Sequence, residues 1–285
     1  MNKLALVLKL IAFILIFSLL IFFGIVVFNV KQQDKNLSIL LNQDQNARFI
    51  PHKMNYLDKL EAGVRDKIPS AEFDMLFQTD PSGSSFQIGH SQKESSGYSF
   101  EDYLKKLQHY PMKKIWMDVK NVSDKNMDQI LKRLNYLDEH YEIKHRILFE
   151  TSTNTPALRI ISNAGYQTSL YLPTFKILEL ILIEKNEKKI KAEAQRIKKL
   201  IEVQNLSAVS FEYKLYPFVK EYLEPIISKD THYHTWSNVR MRYQTAIVDL
   251  QDLPYVQDER VKTIIYVYYH PLFHSLAQRL VKIFN

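Results

Sequence analysis

Two carboxylates, Glu72 and Asp74, stand two positions apart in the otherwise mainly apolar segment AEFDMLF. Successive side chains of a strand point to opposite faces, so a strand here puts both carboxylates on one face, about 7 Å apart. Such a pair is either two solvated charges on an edge strand or part of a site. Asp118 and Lys120 repeat the spacing in KIWMDVK. The three carboxylates are hard oxygen ligands of the kind that Ca²⁺ and Mg²⁺ prefer.

Histidine and lysine side chains occur near these carboxylates, at the ends of neighbouring strand-like segments. His52 ends the first segment, and His90 ends a short extension after the second. Histidine has an ordinary pKa near 6.5, so both are candidates for the general acid and the general base of a reaction. Lys120 and Lys53 would offer positive charge to an oxygen that becomes negative. A hard metal, two histidines and lysines describe phosphodiester cleavage better than acyl or hydride transfer.

Four residues are predicted to contact substrate: Lys53, Asn55, Glu150 and Trp236. A lone histidine or ion pair at a strand end is usually structural, and it is the convergence of many charged groups that indicates a site. Burying so much charge without a counter-ion is costly. Asp118 and Glu150 also leave open a glycoside hydrolase, which would require a carboxyl separation of ~5–10 Å.

Strand-like and helix-like patterns alternate from residue 47 onward, which predicts a parallel α/β sheet. Eight strands are the number that closes a (β/α)₈ TIM barrel, in which the active site lies at the carboxyl ends of the strands. An open doubly wound sheet is the alternative, but its nucleotide-binding glycine motifs are absent from the sequence. The predicted strands are ARFIPH (47–52), AEFDMLF (71–77), KIWMDVK (114–120), RILFETS (146–152), QTSLYLP (167–173), SAVSFEY (207–213), HYHTWSN (232–238) and KTIIYVYYH (262–270).

Two further patterns complete this interpretation. The pattern at 177–203 predicts one long helix, and FQIGH at 86–90 is interpreted as a short extension after the second strand. The lysine-rich part of that helix lacks interleaved aromatic residues, so it is interpreted as a solvated face and no nucleic-acid partner is expected. The formal net charge of +7 suits an anionic partner such as a phospholipid headgroup. The absence of cysteine excludes disulfides, thiolate metal sites and cysteine nucleophiles.

The amino-terminal residues are typical of a membrane anchor. Residues 11–28, IAFILIFSLLIFFGIVVF, contain no charge and are long enough to cross a hydrocarbon core of ~30 Å. No small-x-small cleavage site follows, which favours an uncleaved signal anchor. Lys3 and Lys9 weakly favour an amino terminus inside and a barrel on the extracytoplasmic side, periplasmic or extracellular. The predicted organisation is a cytoplasmic amino terminus and transmembrane anchor (1–30), a linker (31–46) and a phosphodiesterase-like barrel (47–285).

The order of these motifs resembles the glycerophosphodiester phosphodiesterase family, in which H-R, E-x-D, H-D and E-x-K lie on the first strands of a TIM barrel. Here the matching residues are His52, Glu72 with Asp74, His90 after glycine, and Asp118-Val-Lys120, and HTWSN is similar to a later W-T-x-N strand. The resemblance implies a divalent cation held by the three carboxylates. It also implies an acid/base pair of the two histidines and a phosphate contact from the lysine.

This chain departs from that pattern at several positions. Lys53 replaces the arginine after the first histidine, Asp118 replaces a glutamate, Ser91 follows His90, and the E-N-T segment is absent. A lysine keeps the charge but loses bidentate phosphate recognition. The segments HKMN, MDVKN and RILFETS also resemble the menorin family of the same phospholipase-C-like superfamily.

Two functions are therefore predicted. The first is a membrane-anchored, metal-dependent hydrolase of a glycerophosphodiester or a similar small-molecule or lipid headgroup. The alternative is a non-catalytic, menorin-like barrel that binds a phospholipid or carbohydrate headgroup or a protein partner.

Overall fold

The computed structural model describes residues 47–81, 83–110, 112–151, 158–236, 254–266 and 268, together with residues 9, 11, 13–22, 24 and 25. Its strands form one ten-stranded sheet. The strands are β1 (Phe49–Pro51), β2 (Ser70–Asp80), β3 (Gly83–Gly89), β4 (Ser95–Ser99), β5 (Lys114–Val119), β6 (Ile147–Thr151), β7 (Gln167–Tyr171), β8 (Ala208–Glu212), β9 (His232–Trp236) and β10 (Val261–Tyr266).

Eight of these strands, all except β3 and β4, run parallel in the order β1-β10-β9-β8-β7-β6-β5-β2. Two hydrogen bonds join β2 to β1 and to the turn that follows β1, at the two ends of this order. The Met54 amide donates to the Glu72 carbonyl oxygen at 2.8 Å, and the Ser70 hydroxyl donates to the Phe49 carbonyl oxygen at 2.9 Å. The eight strands thus form the barrel that the sequence predicted, and each corresponds to one predicted segment.

Alternation along the strands divides the apolar side chains between two cores. Inside the barrel, Ile50, Trp116, Leu148, Trp236 and Ile265 pack together. A larger cluster fills the space between the barrel and its helices. On β2 the apolar side chains at positions 73, 75 and 77 belong to this outer cluster, which leaves the two carboxylates between them on the inner face.

Amphipathic helices cover the outside of the barrel. In helix α3 (Met127–Tyr141), for example, the buried side chains of Ile130, Leu134 and Leu137 recur every three to four residues and form one stripe. A helix with such a stripe buries it against the sheet and leaves its charged face in water. Among the described residues from 47 onward, the α-helices are α1 (Leu57–Arg65), α2 (Phe100–Lys106), α3 (Met127–Tyr141), α4 (Leu158–Asn163), α5 (Thr174–Leu178), α6 (Glu187–Gln204), α7 (Tyr216–Phe218) and α8 (Pro254–Gln257).

The single long helix predicted at 177–203 is wrong. The chain forms α5, continues as π-helical turns over Glu179–Glu184, breaks, and then begins α6. Lys185 takes a left-handed conformation with φ of 49°, which ends the first segment. The Asn186 side chain then accepts a hydrogen bond from the Lys189 amide at 3.1 Å and caps α6.

The segment FQIGH lies in β3, outside the barrel as predicted. β2 is long enough to pair with β5 through its first half and with antiparallel β3 through its second half. β3 then pairs with β4, a strand of serine, glycine and tyrosine that the hydrophobic pattern did not predict. Gly89 ends β3 at φ of 152°, where a Cβ atom would meet the Glu94 carbonyl oxygen at 2.7 Å. This glycine therefore permits the close approach that places His90.

Of the predicted anchor, the structure describes only part, and its described residues between 9 and 25 are helical. No helix among the described residues combines the length and the hydropathy of a membrane span. The linker and the helical patterns at 241–253 and 271–284 lie outside the described residues.

Candidate active site

A cavity of about 210 Å³ opens at the carboxyl ends of the barrel strands. Every residue predicted for the site from the sequence lines this cavity, except Asn55. Three lining residues, Trp116, Tyr171 and Ile265, were not predicted. The complete lining is His52, Lys53, Glu72, Asp74, His90, Trp116, Asp118, Lys120, Glu150, Tyr171, Trp236 and Ile265.

Three carboxylates form a compact cluster in one wall of the cavity. Glu72, Asp74 and Asp118 each offer an oxygen, and these oxygens lie within 4.8 Å of one another. Register explains the arrangement, because Asp74 is paired with Asp118 across the parallel strands β2 and β5. Glu72 and Asp74 are almost completely buried, whereas Asp118 is partly exposed to the cavity.

The turn after β1 holds Glu72 in place. The Lys53 amide donates to Glu72 Oε2 at 2.5 Å, and Lys53 adopts a left-handed φ of 53° to do so. The buried ammonium of Lys59 stabilises this turn by donating to the carbonyl oxygens of His52, at 2.6 Å, and Lys53, at 3.0 Å. Sequence reasoning missed Lys59; the only available signal was a lysine beside Leu60, a buried position of α1.

Asn55 holds Asp74 rather than lining the cavity. Its amide nitrogen donates to Asp74 Oδ2 at 2.9 Å, and its amide oxygen accepts from the Asp74 backbone at 3.0 Å. The structure thus shows a positioning contact for Asn55, and its predicted substrate contact stays a prediction. The side chain of Asn55 is buried behind the carboxylate.

Lys120 bridges two of the carboxylates. Its ammonium lies 2.7 Å from Asp74 Oδ1 and also donates to Asp118 Oδ2. Although burial opposes it, the charge of Asp118 and then that of Asp74 raise the pKa of Lys120. Burial alone would raise the pKa of Asp74, but Lys120 and then Lys53, whose ammonium is 3.8 Å away, hold it below its usual value.

In two other carboxyl groups, those of Glu72 and Glu150, neighbouring positive charge does not offset the effect of burial. Burial, followed by the charges of Asp74 and Asp118, raises the pKa of Glu72 well above its usual value. Burial and then the charge of Asp118 raise the pKa of Glu150 to about 8. Among the described residues, Asp118 Oδ1 and Glu150 Oε2 are buried without a hydrogen-bond partner. This group of buried carboxyl oxygens, two of them without a hydrogen-bond partner, is a set of hard donors that fits Ca²⁺ or Mg²⁺.

The two histidines occupy different environments at the cavity. His52 is half-buried, its Nε2 lies 3.9 Å from Glu72 Oε2, and burial and then the charge of Lys53 lower its pKa to about 4. His90 is about half exposed, and its Nδ1 lies 3.6 Å from Glu94 Oε2. Both rings reach the same cavity although one follows directly after β1 and the other directly after β3.

Aromatic and aliphatic side chains form the opposite wall. Tyr171 and Trp236 stack with ring centroids 5.1 Å apart and an interplanar angle of 22°. Trp116 meets Trp236 edge-on at 6.5 Å. The signal for Trp116 was present in the sequence, since it stands two residues before Asp118 and must share its face.

The structural neighbours of this chain are glycerophosphodiester phosphodiesterases. A protein from Agrobacterium tumefaciens, assigned provisionally as a glycerophosphoryl diester phosphodiesterase, gives a TM-score of 0.53 at 8% identity over 82% of this chain and 98% of its own. Another glycerophosphodiester phosphodiesterase from A. tumefaciens gives 0.49 at 8% identity, covering 80% and 99%. One from Parabacteroides distasonis gives 0.49 at 11% identity, covering 83% and 98%.

Because the identity is only 8%, the likeness with a TM-score of 0.53 shows the fold alone. No protein-family model matches the sequence. Curated proteins likewise provide no match. The argument for function therefore has to come from the cavity.

Proposed function

We propose that the protein is a divalent-cation-dependent phosphodiester hydrolase. One observation carries the proposal: the cavity brings three clustered carboxylates, two histidines and a lysine together at the carboxyl ends of the strands. Each residue type matches one requirement of phosphodiester cleavage, and few other reactions need all of them at once. The likeness of the barrel to a provisionally assigned glycerophosphoryl diester phosphodiesterase supports the same reading.

In this proposal Glu72, Asp74 and Asp118 hold Ca²⁺ or Mg²⁺. A divalent cation bound there supplies positive charge to the phosphate oxygens and lowers the cost of their additional negative charge. Lys120 contacts a phosphate oxygen from the same wall. The uncharged part of the substrate lies against the aromatic wall.

Proton transfer falls to the two histidines. One of His52 and His90 removes the proton of a water or a neighbouring hydroxyl as its oxygen attacks phosphorus. The other gives a proton to the alkoxide oxygen as its bond to phosphorus breaks. The products are then a phosphomonoester, or a cyclic phosphodiester, and an alcohol. The rings stand on different strands at one cavity, which suits two separate proton transfers.

We further propose that the chain is anchored in a membrane by its apolar segment at 11–28, with the barrel on the extracytoplasmic side. The support is the sequence of that segment and the exposed, helical apolar side chains among its described residues. The substrate class is then a glycerophosphodiester or a related headgroup close to the bilayer.

The test is hydrolysis of bis(p-nitrophenyl) phosphate and of glycerophosphodiesters by the full-length protein in detergent. Ca²⁺, Mg²⁺ or a chelator is present in separate reactions. We expect metal-dependent turnover that falls by ~10²-fold or more in the double variant His52→Ala/His90→Ala. The matched control is His109→Ala, because His109 is an exposed histidine outside the cavity lining.

A folded protein without turnover under any of these conditions would contradict the proposal. It would favour the alternative, a barrel that binds a headgroup or a protein partner without cleaving it. Equal loss of activity in the control variant would show that the assay measures stability and not proton transfer.

A further inference from the structure

An additional helical segment lies between β7 and the helix that returns along the barrel. In a (β/α)₈ barrel each strand ends at the carboxyl-end face, and the next helix runs back to the amino-end face. The return helix here is α6, which buries Ile190, Ile197 and Ile201 and leads into β8. Residues 174–186 form the additional segment and are called the insertion below. The insertion starts after the end of β7 and stops at the start of α6, so both of its ends lie at the carboxyl-end face, which carries the cavity.

Three large apolar side chains of this insertion are exposed. The exposed fraction is 89% for Phe175, 62% for Leu182 and 76% for Ile183. The same segment buries Ile177 and Leu180 in the outer core, so its orientation is fixed by packing. Three large apolar side chains so exposed within one short, packed segment are unusual on a protein surface and indicate an interaction site. Phe175, Leu182 and Ile183 are called the apolar ridge below.

Lysines outnumber glutamates in the sequence around the apolar ridge. Lys189 pairs with Glu184 and Lys191 pairs with Glu187. Residues 174–191 contain five lysines and three glutamates. Lys176 forms an ion pair with Glu193 of α6 at 2.9 Å and so ties the first turn of the insertion to the return helix. Lys185 and Lys188 are exposed just beyond the ridge. Apolar side chains with lysines beside them match the interface of an anionic bilayer, where acyl chains lie beneath negative headgroups.

We propose that the apolar ridge inserts into the interface of a bilayer that contains anionic lipid, and that this contact turns the cavity towards the lipid surface. A second feature of the chain favours lipid as the occupant. The described helical residues near the amino terminus also expose large apolar side chains, including Phe13 at 65% and Leu15 at 63%. The chain therefore has two separate apolar surfaces for one membrane.

The connection between these two surfaces is long enough. The predicted linker at 31–46 leads to β1, whose first residues lie at the amino-end face of the barrel. Sixteen extended residues span at most about 53–58 Å. The 18 residues of α6, which run between the two faces, are about 27 Å long. The barrel can thus turn its carboxyl-end face to a membrane that holds the amino-terminal segment.

The inference also narrows the substrate, and this part rests on the proposed function. A cavity held at the lipid surface meets phosphodiesters that the membrane presents. The contact itself does not depend on catalysis, so the two ideas fail separately.

The test uses the natural absence of cysteine, which makes any introduced cysteine a unique labelling site. Ile183→Cys and Val203→Cys are each labelled with the environment-sensitive fluorophore NBD on the full-length chain. Val203 is the matched control, because it is an apolar residue, 51% exposed, at the opposite end of α6. Both proteins are reconstituted into vesicles of phosphatidylcholine and phosphatidylglycerol, with and without brominated lipid.

We expect a blue shift and quenching by brominated lipid for NBD at position 183, and neither change at position 203. Equal quenching at both positions, or quenching at neither, would overturn the proposal. Hydrolysis of soluble bis(p-nitrophenyl) phosphate is measured on the same samples. Turnover without quenching would reject the membrane contact and leave the proposed function intact, whereas quenching without turnover would do the reverse.

Discussion

The two walls of the cavity are built on different principles. The charged wall consists of Glu72, Asp74, Asp118, Lys120 and Glu150, which come from three neighbouring strands. The aromatic wall consists of Tyr171, Trp236 and Ile265, which come from β7, β9 and β10. Hydrogen bonds and ion pairs fix the first wall, whereas ring packing fixes the second.

Under the proposed function, this difference separates the groups for reaction from the groups for recognition. Phosphoryl chemistry needs charges at set distances, and buried partners such as Asn55 and Lys59 supply that precision. The aromatic wall carries no charge, so it contributes apolar contact area that tolerates small shifts. Changes in the charged wall should therefore alter the chemical step, and changes in the aromatic wall should alter binding.

The largest effect is expected from Lys120→Met in the charged wall. The ammonium contacts both aspartates, so its removal leaves phosphate without that charge, and kcat should fall by about 10²–10³-fold. The same change frees aspartate oxygens, so metal affinity should rise. Steady-state kinetics and calorimetric metal titration measure the two effects. A loss of metal affinity would show that Lys120 supports the carboxylates and does not compete for them.

A smaller effect of a different kind is expected from Trp236→Leu in the aromatic wall. The substitution keeps an apolar side chain but removes the ring that stacks on Tyr171, and with it apolar contact to the substrate worth about 1 kcal/mol. KM should rise about fivefold with little change in kcat. The readout is steady-state kinetics that give KM and kcat separately. A fall in kcat at constant KM would break the division between the walls.

The third effect concerns stability, and of the three changes it should alter activity least. His234 packs edge-on against Trp116 at 5.5 Å and lies 2.5 Å from the Thr263 hydroxyl. Burial, then the charges of Lys114 and His232, lowers its pKa to about 3. Below pH 6.5 the unfolded chain binds this proton before the folded chain does, so His234 lowers the free energy of unfolding progressively down to about pH 3.

We therefore expect that His234→Asn reduces the acid-side loss of stability by up to about 1.4 kcal/mol per pH unit between pH 6 and pH 4. Urea unfolding at several pH values gives the slope for the wild type and the variant. Identical slopes would mean that this histidine takes up its proton in the folded barrel.

Much of the barrel is predictable from sequence because strand alternation is a strong local signal. Glu72 with Asp74 and Asp118 with Lys120 reveal their shared face through spacing alone, and parallel register then brings them together. The break at Lys185 was missed because helical periodicity continues across it, and only the backbone shows the left-handed residue. The role of Lys59 was missed because its carbonyl partners are set by a tertiary turn.

The central claim is that Glu72, Asp74 and Asp118 hold a divalent cation, and calorimetric titration tests it most directly. The metal-free full-length protein is titrated with Ca²⁺ and with Mg²⁺, beside the variant Asp74→Asn/Asp118→Asn. The account predicts one equivalent bound by the wild type and no measurable binding by the variant. Absence of binding to the folded wild type, or equal binding by the variant, would contradict it.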